Sequence, residues 1–327
     1  MRILVAGIGG IGGLIASSLV KGGGDVTLLA RGRALARLQE QGLRIVSGDR
    51  EETFRAPVIE QPHRGETFDA IFICCKAQDF PALAASLKGA MTAQTGVIAG
   101  VNGLPWWFLE GAECNGRALH LQLLDPSGLA REALKGVTPV GVVVHASAQA
   151  IEPGVVKIIK ADRLIFGDPP GHAFVHTHAL AAMCQAGGLA SPVTPSIREE
   201  IWAKLWGNQN MNPVSALTRL TATPILETPE LRQIVLDMMQ EFDRVGRAIG
   251  LRLPMSADER IEVTKVLGDF RTSMLNDAEA GRRLEHEAIL GSFVELASQC
   301  NVPAPVSKLV YALLKGLDLA LERKRLS

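Results

Sequence analysis

In the stretch Trp202-Ala-Lys-Leu-Trp-Gly-Asn-Gln-Asn-Met-Asn-Pro213, Lys204, Asn208 and Asn212 recur at every fourth residue. On a helix this spacing stacks one ammonium and two carboxamides along a single slowly drifting stripe, and Ile201, Trp202, Leu205 and Trp206 can face a core. A purely solvated stripe favours glutamate and lysine. Asparagine is a mediocre helix former, so two of them on one face need a reason other than helix stability. Such a stripe offers a cation able to stabilise or protonate a developing oxyanion, beside amides able to orient a small polar ligand.

A second chemical signal opens the chain. Gly7-Ile8-Gly9-Gly10-Ile11-Gly12 fits GxGxxG, preceded by the strand pattern of Arg2 to Ala6 and followed by a helical pattern from Ile11 to Lys21. In that context Gly7 permits a tight turn, Gly9 lets backbone approach a pyrophosphate, and Gly12 lets helix pack on strand, with the helix N-terminus toward the anion. The next strand pattern, Val26 to Ala30, ends in Arg31-Gly32-Arg33. An NAD-binding unit usually places an acid there to bond the ribose hydroxyls. Arginine pairs instead with a 2′-phosphate, so NADP(H) is the expected cofactor. Asp25 begins this strand and does not fill the acid's place. Lys76 follows the apolar run Ala70 to Cys75, at the strand edge where α/β folds bind ligands.

The elements that must position these groups divide the chain in two. Continuous apolar runs at Arg2–Ala6, Val26–Ala30, Ala70–Cys75, Val97–Val101, Val140–His145 and Val155–Ile159 read as strands buried on both faces, the grammar of an α/β domain. Leu43 to Val46 and Thr53 to Val58 flank Gly48-Asp49 as an inserted hairpin. Later the period becomes helical: Thr228-Pro229 opens a helix that Gly250 ends, Ser256 to Glu259 form a capping box, and further helices cover Glu285 to Gln299 and Val306 to Arg325. The expectation is an N-terminal Rossmann-like NADP-binding domain, residues 1–170, followed by an all-helical substrate domain, residues 171–327, with Val193 a candidate for one more strand. Pro213 is expected to close the Lys204 helix.

Composition narrows the partners. The 327 residues balance 34 Lys and Arg against 34 Asp and Glu, with 47% hydrophobic and 21% charged residues, ordinary globular values that do not suggest a nucleic-acid partner. Five cysteines at irregular spacing without CxxC point to reduced thiols in a cytoplasmic setting, and no apolar run is long enough to suggest a membrane span. A helical second domain offers a face that a homodimer would bury.

Taken together, the glycine loop, Arg31, "CCKAQD" around Lys76, "VNG" at Asn102, "WAKLWGNQNMNP", "TSM" at Ser273 and "LEHEAILG" from Leu284 resemble the ketopantoate reductase (2-dehydropantoate 2-reductase) family over nearly the whole chain. The resemblance implies NADPH-dependent hydride transfer to a small 2-oxo acid, with ketopantoate the leading candidate. It implies Lys204 as the general acid, Asn208, Asn212 and Ser273 orienting the substrate, and Asn102 and Lys76 near the nicotinamide and its ribose. Glu285 would meet that ribose and the substrate, and Ser147 lies in a segment whose backbone the family places beside the cofactor. Phe270 stands where the better-known reductases often have asparagine, and Ala222 at a second polar position, which leaves a different small 2-oxo acid, bulkier or more apolar, open as the substrate. Two alternatives stay open: an NADP(H) sensor without turnover, and a related hydroxyacid dehydrogenase. The string Tyr311 to Lys315 reads as helix packing and His172, His176 and His178 as a solvated helix, so no metal is expected.

Overall fold

The computed structural model describes residues 1–326. Within them the chain forms two compact units, one of Met1–Val101 with Asp125–Glu200, the other of Asn102–Leu124 with Ile201 onward.

The first unit is built on a nine-stranded sheet. Its strands are β1 (Arg2–Ala6), β2 (Asp25–Leu29), β3 (Leu43–Ser47), β4 (Arg50–Phe54), β5 (Val58–Ile59), β6 (Ala70–Ile73), β7 (Gly96–Ala99), and, later in the chain, the long β10 (Thr138–Glu152) and β11 (Val155–Gly167). The spatial order is β4-β3-β11-β10-β7-β6-β1-β2-β5. β1 pairs in parallel with both β2 and β6, so chain order reverses at β1, and the crevice beyond the carboxyl ends of its neighbours is where such sheets bind ligands. Ile3, Leu4, Val5 and Ala6 are all fully buried, as expected for a strand covered on both faces. The hairpin of β3 and β4 is present, with Ser47 opposite Arg50.

The helices α1 (Gly10–Lys21), α2 (Gly32–Gln41), α3 (Phe80–Ser86), α4 (Leu129–Ala133) and α5 (Thr177–Ala186) complete this unit. Leu14, Ile15 and Leu19 of α1 share one core cluster with Leu180, Ala181 and Cys184 of α5 and with Phe166 of β11. That shared core explains why the first unit runs past the expected boundary at residue 170 to Glu200: removing α5 would expose the apolar face of α1. Val193 forms a single parallel bridge to Phe166 rather than a full strand.

The second unit holds α6 (Ile197–Thr218, from Ile201 on), α7 (Ala222–Glu227), α8 (Pro229–Ala248), α9 (Ala257–Val266), α10 (Ser273–Glu279), a π-helical turn at Glu287–Gly291, α11 (Ser292–Gln299) and α12 (Pro305–Leu326). It also recruits Asn102–Leu124, which carries a small hairpin of β8 (Glu113–Cys114) and β9 (Arg117–Ala118). Asn115 and Gly116 both have positive φ, 53° and 71°, the conformation such a two-residue turn needs. Asn115 Nδ2 donates to the Cys300 carbonyl, and the Gln122 and Leu123 amides donate to the Glu295 carboxylate at 2.8 and 3.1 Å. These bonds to α11 and its end tie residues 102–124 to the helical unit, although they fall inside the stretch expected for the first domain.

Two helix boundaries follow their sequence signals and one does not. Pro229 starts α8, and Ser256 caps α9 in a capping box with Glu259, worth about 1 kcal/mol. Pro213, however, lies inside α6, which continues to Thr218. A proline in a helix interior costs about 3 kcal/mol. Beside it Met211 and Val214 are each 4% exposed, and burying two such side chains contributes about 1.5–3 kcal/mol apiece, enough to carry the helix through.

Candidate active site

The predicted site residues fall into two sets, one in each unit. In the first unit, the turn between β1 and α1 carries Gly7 to Gly12. Gly7 has φ +95°, and a Cβ there would stand 2.3 Å from the Cys74 carbonyl oxygen. The close approach is fixed from both sides, because the Gly7 amide donates to the Leu29 carbonyl and the Cys74 amide to the Ala6 carbonyl. Ile8 and Ile11 pack partly against the core and pin the loop to the sheet. Gly9 is the N-cap of α1, and no side chain caps the helix. No atom lies within 4 Å of where a Cβ of Gly9 would point. Uncapped first-turn amides beside open space fit the diphosphate of a dinucleotide.

Three further residues of that set share the loop's surroundings. Arg31 is exposed at the N-cap of α2, directly after β2. Lys76 is half-buried two residues past Cys74, beginning the 3-10 turn Ala77–Asp79. Ser147 lies on β10 where the pairing with β11 shifts register on both sides of Ala146-Ser147. The irregularity brings the next carbonyl, that of Ala148, to within 2.0 Å of where a Gly10 Cβ would stand, so this segment borders the glycine loop.

In the second unit, one face of α6 is anchored by aromatic stacking. Trp202 lies 3.9 Å, centroid to centroid, from Phe242 of α8, which stacks in turn on Phe293 of α11. Trp206 Nε1 donates to the Met239 carbonyl. With Trp202, Leu205 and Trp206 thus buried, Lys204 and Asn208 are turned to the opposite side, where both are half-buried.

Lys204 Nζ lies 3.5 Å from Asn102 Oδ1, and Asn102 Nδ2 donates to Glu285 Oε2 at 3.1 Å. The amide therefore presents its acceptor to the ammonium and its donor to the carboxylate, the one orientation that satisfies both. Asn102 and Glu285 stand 183 residues apart in sequence. A tight turn brings them together: Gly103 has φ +89°, and a Cβ there would fall 2.4 Å from the Ala288 carbonyl oxygen of the π turn. Burial pushes the Lys204 ammonium down from its ordinary range to about 8, partly countered by the negative charge of Glu285. Although the side chain keeps some exposed surface, its charged end is desolvated enough to titrate near neutrality, where a general acid works best.

A buried hydroxyl chain joins the segments that carry Asn212 and Ser273. Ser215 Oγ donates to the Asn212 carbonyl, and Thr272 Oγ1 lies 2.5 Å from Ser215 Oγ while accepting from the Leu275 amide. With the Ser215 proton committed to Asn212, Thr272 is the donor to Ser215. This chain links α6 to the first turn of α10, where Ser273 is exposed, while Asn212 is 5% exposed. The Ala222 amide donates to the Phe270 carbonyl at 3.0 Å, so these two positions adjoin one another.

Sequence reasoning missed Ser215 and Thr272, which carried no periodic signal, and the bracing around Glu285. There the Leu284 amide donates to Asp318, His286 lies 3.2 Å from Glu287, and the Tyr311 hydroxyl donates to Glu287. Tyr311 and Lys315 form a cation–π pair at 5.3 Å on α12, a packing role. π turns often mark functional segments, and this one interrupts what reads in sequence as a continuous helix. Among the described residues no group of three or more His, Cys, Asp or Glu side chains could hold a metal ion.

Comparison with known proteins bears on the family. Residues 3–108 match the family described as ketopantoate reductase PanE/ApbA, and residues 196–318 match its C-terminal counterpart. A 2-dehydropantoate 2-reductase of Mesorhizobium japonicum is 33% identical over 326 residues, 99% of each chain. This chain belongs to the ketopantoate reductase family. A Ralstonia solanacearum crystal structure assigned to ketopantoate reductase superposes with a TM-score of 0.90 at 32% identity, covering 98% of both chains. The 2-dehydropantoate 2-reductase of Methylococcus capsulatus gives 0.83 at 28% identity over 98% of both. The chain is thus an oxidoreductase of a nicotinamide-dinucleotide-dependent family, and no helix among its described residues is long and apolar enough to cross a membrane.

Proposed function

We propose that this protein is an NADPH-dependent reductase of a small 2-oxo acid, with 2-dehydropantoate the leading candidate. The observation that carries the reading is the Lys204–Asn102–Glu285 line, a desolvated ammonium held opposite an amide and a buried carboxylate. A reduced nicotinamide, when bound, supplies the hydride. Lys204 donates a proton to the oxygen that becomes an alkoxide, stabilising charge that appears only in the transition state. Glu285 keeps Lys204 protonated against its desolvation. Asn102 fixes the distance between the two, and Asn208, Asn212 and Ser273 orient the substrate's polar groups. Gly7 to Gly12 and the first turn of α1 take the diphosphate, with Lys76 and the Ser147 segment beside them.

The test is NADPH oxidation, followed by absorbance, with ketopantoate and a panel of 2-oxo acids. Steady oxidation with at least one of them is expected; unchanged absorbance with every compound refutes the reading. The choice of NADPH over NADH rests on Arg31. Replacing it with alanine is expected to raise KM for NADPH by about 10- to 100-fold, the loss of one charge-assisted phosphate contact, while KM for NADH stays near its starting value. Equal changes for both dinucleotides would remove Arg31 from 2′-phosphate recognition.

A further inference from the structure

One cation beside the Lys204 stripe has no counter-charge. Arg260, on α9, lays its guanidinium against α6 at Gly207: Nη2 is 3.0 Å, and Cζ and Nε 3.9 Å, from where a Gly207 Cβ would stand. Gly207 follows Lys204 by three residues, so the two positions are neighbours on one helix face. Arg260 is half-buried, and its Nε is sealed from solvent without a hydrogen-bond partner. No carboxylate among the described residues pairs with it. The acids nearest in sequence are engaged elsewhere, Asp258 with Arg232, Glu259 with Ser256 and Glu262 with Lys265. Burial lowers the guanidinium's pKa with no acidic neighbour to counter it.

A partly buried guanidinium without a partner is costly to the free protein, because the desolvation of its charge is not repaid. Its planar donor fork matches a carboxylate in bidentate geometry. The amides of Asn208 and Asn212 can orient such a group but cannot neutralise it. We propose that Arg260, lying against the α6 position one helical turn from Lys204, binds the carboxylate of the 2-oxo acid while the Lys204 ammonium serves the keto oxygen, and so restricts the enzyme to anionic substrates. This inference rests on the reductase reading above and extends it to a residue outside the motifs that carry the family resemblance. Gly207 is part of the device, since any side chain there would crowd the guanidinium.

The experiment measures binding apart from turnover. Oxamate, a stable isostere of a 2-oxo acid, is titrated by calorimetry into the NADPH-loaded wild type, Arg260→Met and Arg260→Lys. KM is measured in parallel for the best 2-oxo acid and for its neutral methyl ester. Arg260→Met is expected to weaken oxamate and raise KM for the acid at least about tenfold, a change of about 1.4 kcal/mol, with Arg260→Lys intermediate and the ester unaffected. The melting temperature of Arg260→Met should equal or exceed that of the wild type, whereas a structural arginine would lower it. Oxamate binding that is equal in wild type and Arg260→Met overturns the inference and leaves the reductase reading intact. Binding that depends on Arg260, without oxidation of NADPH by any 2-oxo acid, overturns the reductase reading alone. No oxamate binding to the wild type overturns the inference.

Discussion

Replacing Lys204 with methionine lowers kcat by about 10²- to 10⁴-fold, the range by which a positioned general acid accelerates a proton transfer. Methionine keeps most of the volume of the stem, so the change falls on the ammonium. Dinucleotide binding should persist, because the residues proposed to hold the diphosphate belong to Gly7–Gly12. The folded protein should not suffer either. Burial holds the ammonium's pKa near 8, below its ordinary value. Between that value and the unfolded one, the unfolded chain binds more protons, so this group's contribution to stability improves as pH rises and is least favourable at neutral pH. Removing the charge therefore leaves stability at pH 7 unchanged or raised, which thermal melting checks. A kcat within a few-fold of the wild type would show that the proton comes from elsewhere.

Replacing Gly7 with alanine should have the other large effect, on the cofactor. Alanine at φ +95° is strained by about 1–2 kcal/mol, and overpacking against an immovable neighbour adds about 1–3 kcal/mol. The neighbour here is the Cys74 carbonyl, 2.3 Å from the new Cβ, and it cannot retreat without breaking the bond between the Cys74 amide and the Ala6 carbonyl. The loop must move instead, and the first-turn amides of α1 move with it. NADPH affinity, followed by fluorescence titration, is expected to fall on the order of 100-fold. Undiminished affinity would mean that this turn does not hold the dinucleotide.

Much of this site could be read from the chain because its signals are local. GIGGIG between a strand and a helix, and Lys204, Asn208 and Asn212 at helical spacing, involve residues close in sequence whose geometry follows from one element. What escaped is non-local. Nothing near Asn102 announces that its amide will meet Glu285, because the meeting depends on the Gly103 turn packing against a π turn that reads as ordinary helix. The bond between Ser215 and Thr272 crosses 57 residues of sequence. Residues 102–124 look like a continuation of the α/β domain until their bonds to Glu295 and Cys300 are seen. Pro213 signals a helix end, and the burial of its neighbours overrides that signal. Arg260 was missed because a lone arginine on a surface-like helix carries no pattern; its meaning lies in the absence of a partner.

The central claim, that Lys204 is the acid and Glu285 sustains its charge, is tested most directly by the pH dependence of kcat/KM in the wild type and in Glu285→Gln. In the wild type the account predicts a plateau below pH about 8 and a tenfold fall per unit above it. In Glu285→Gln the same limb moves to lower pH, because the carboxylate that favours the ammonium is gone while the desolvation remains. A profile flat through the alkaline range, or a limb in the same place in both proteins, would contradict it.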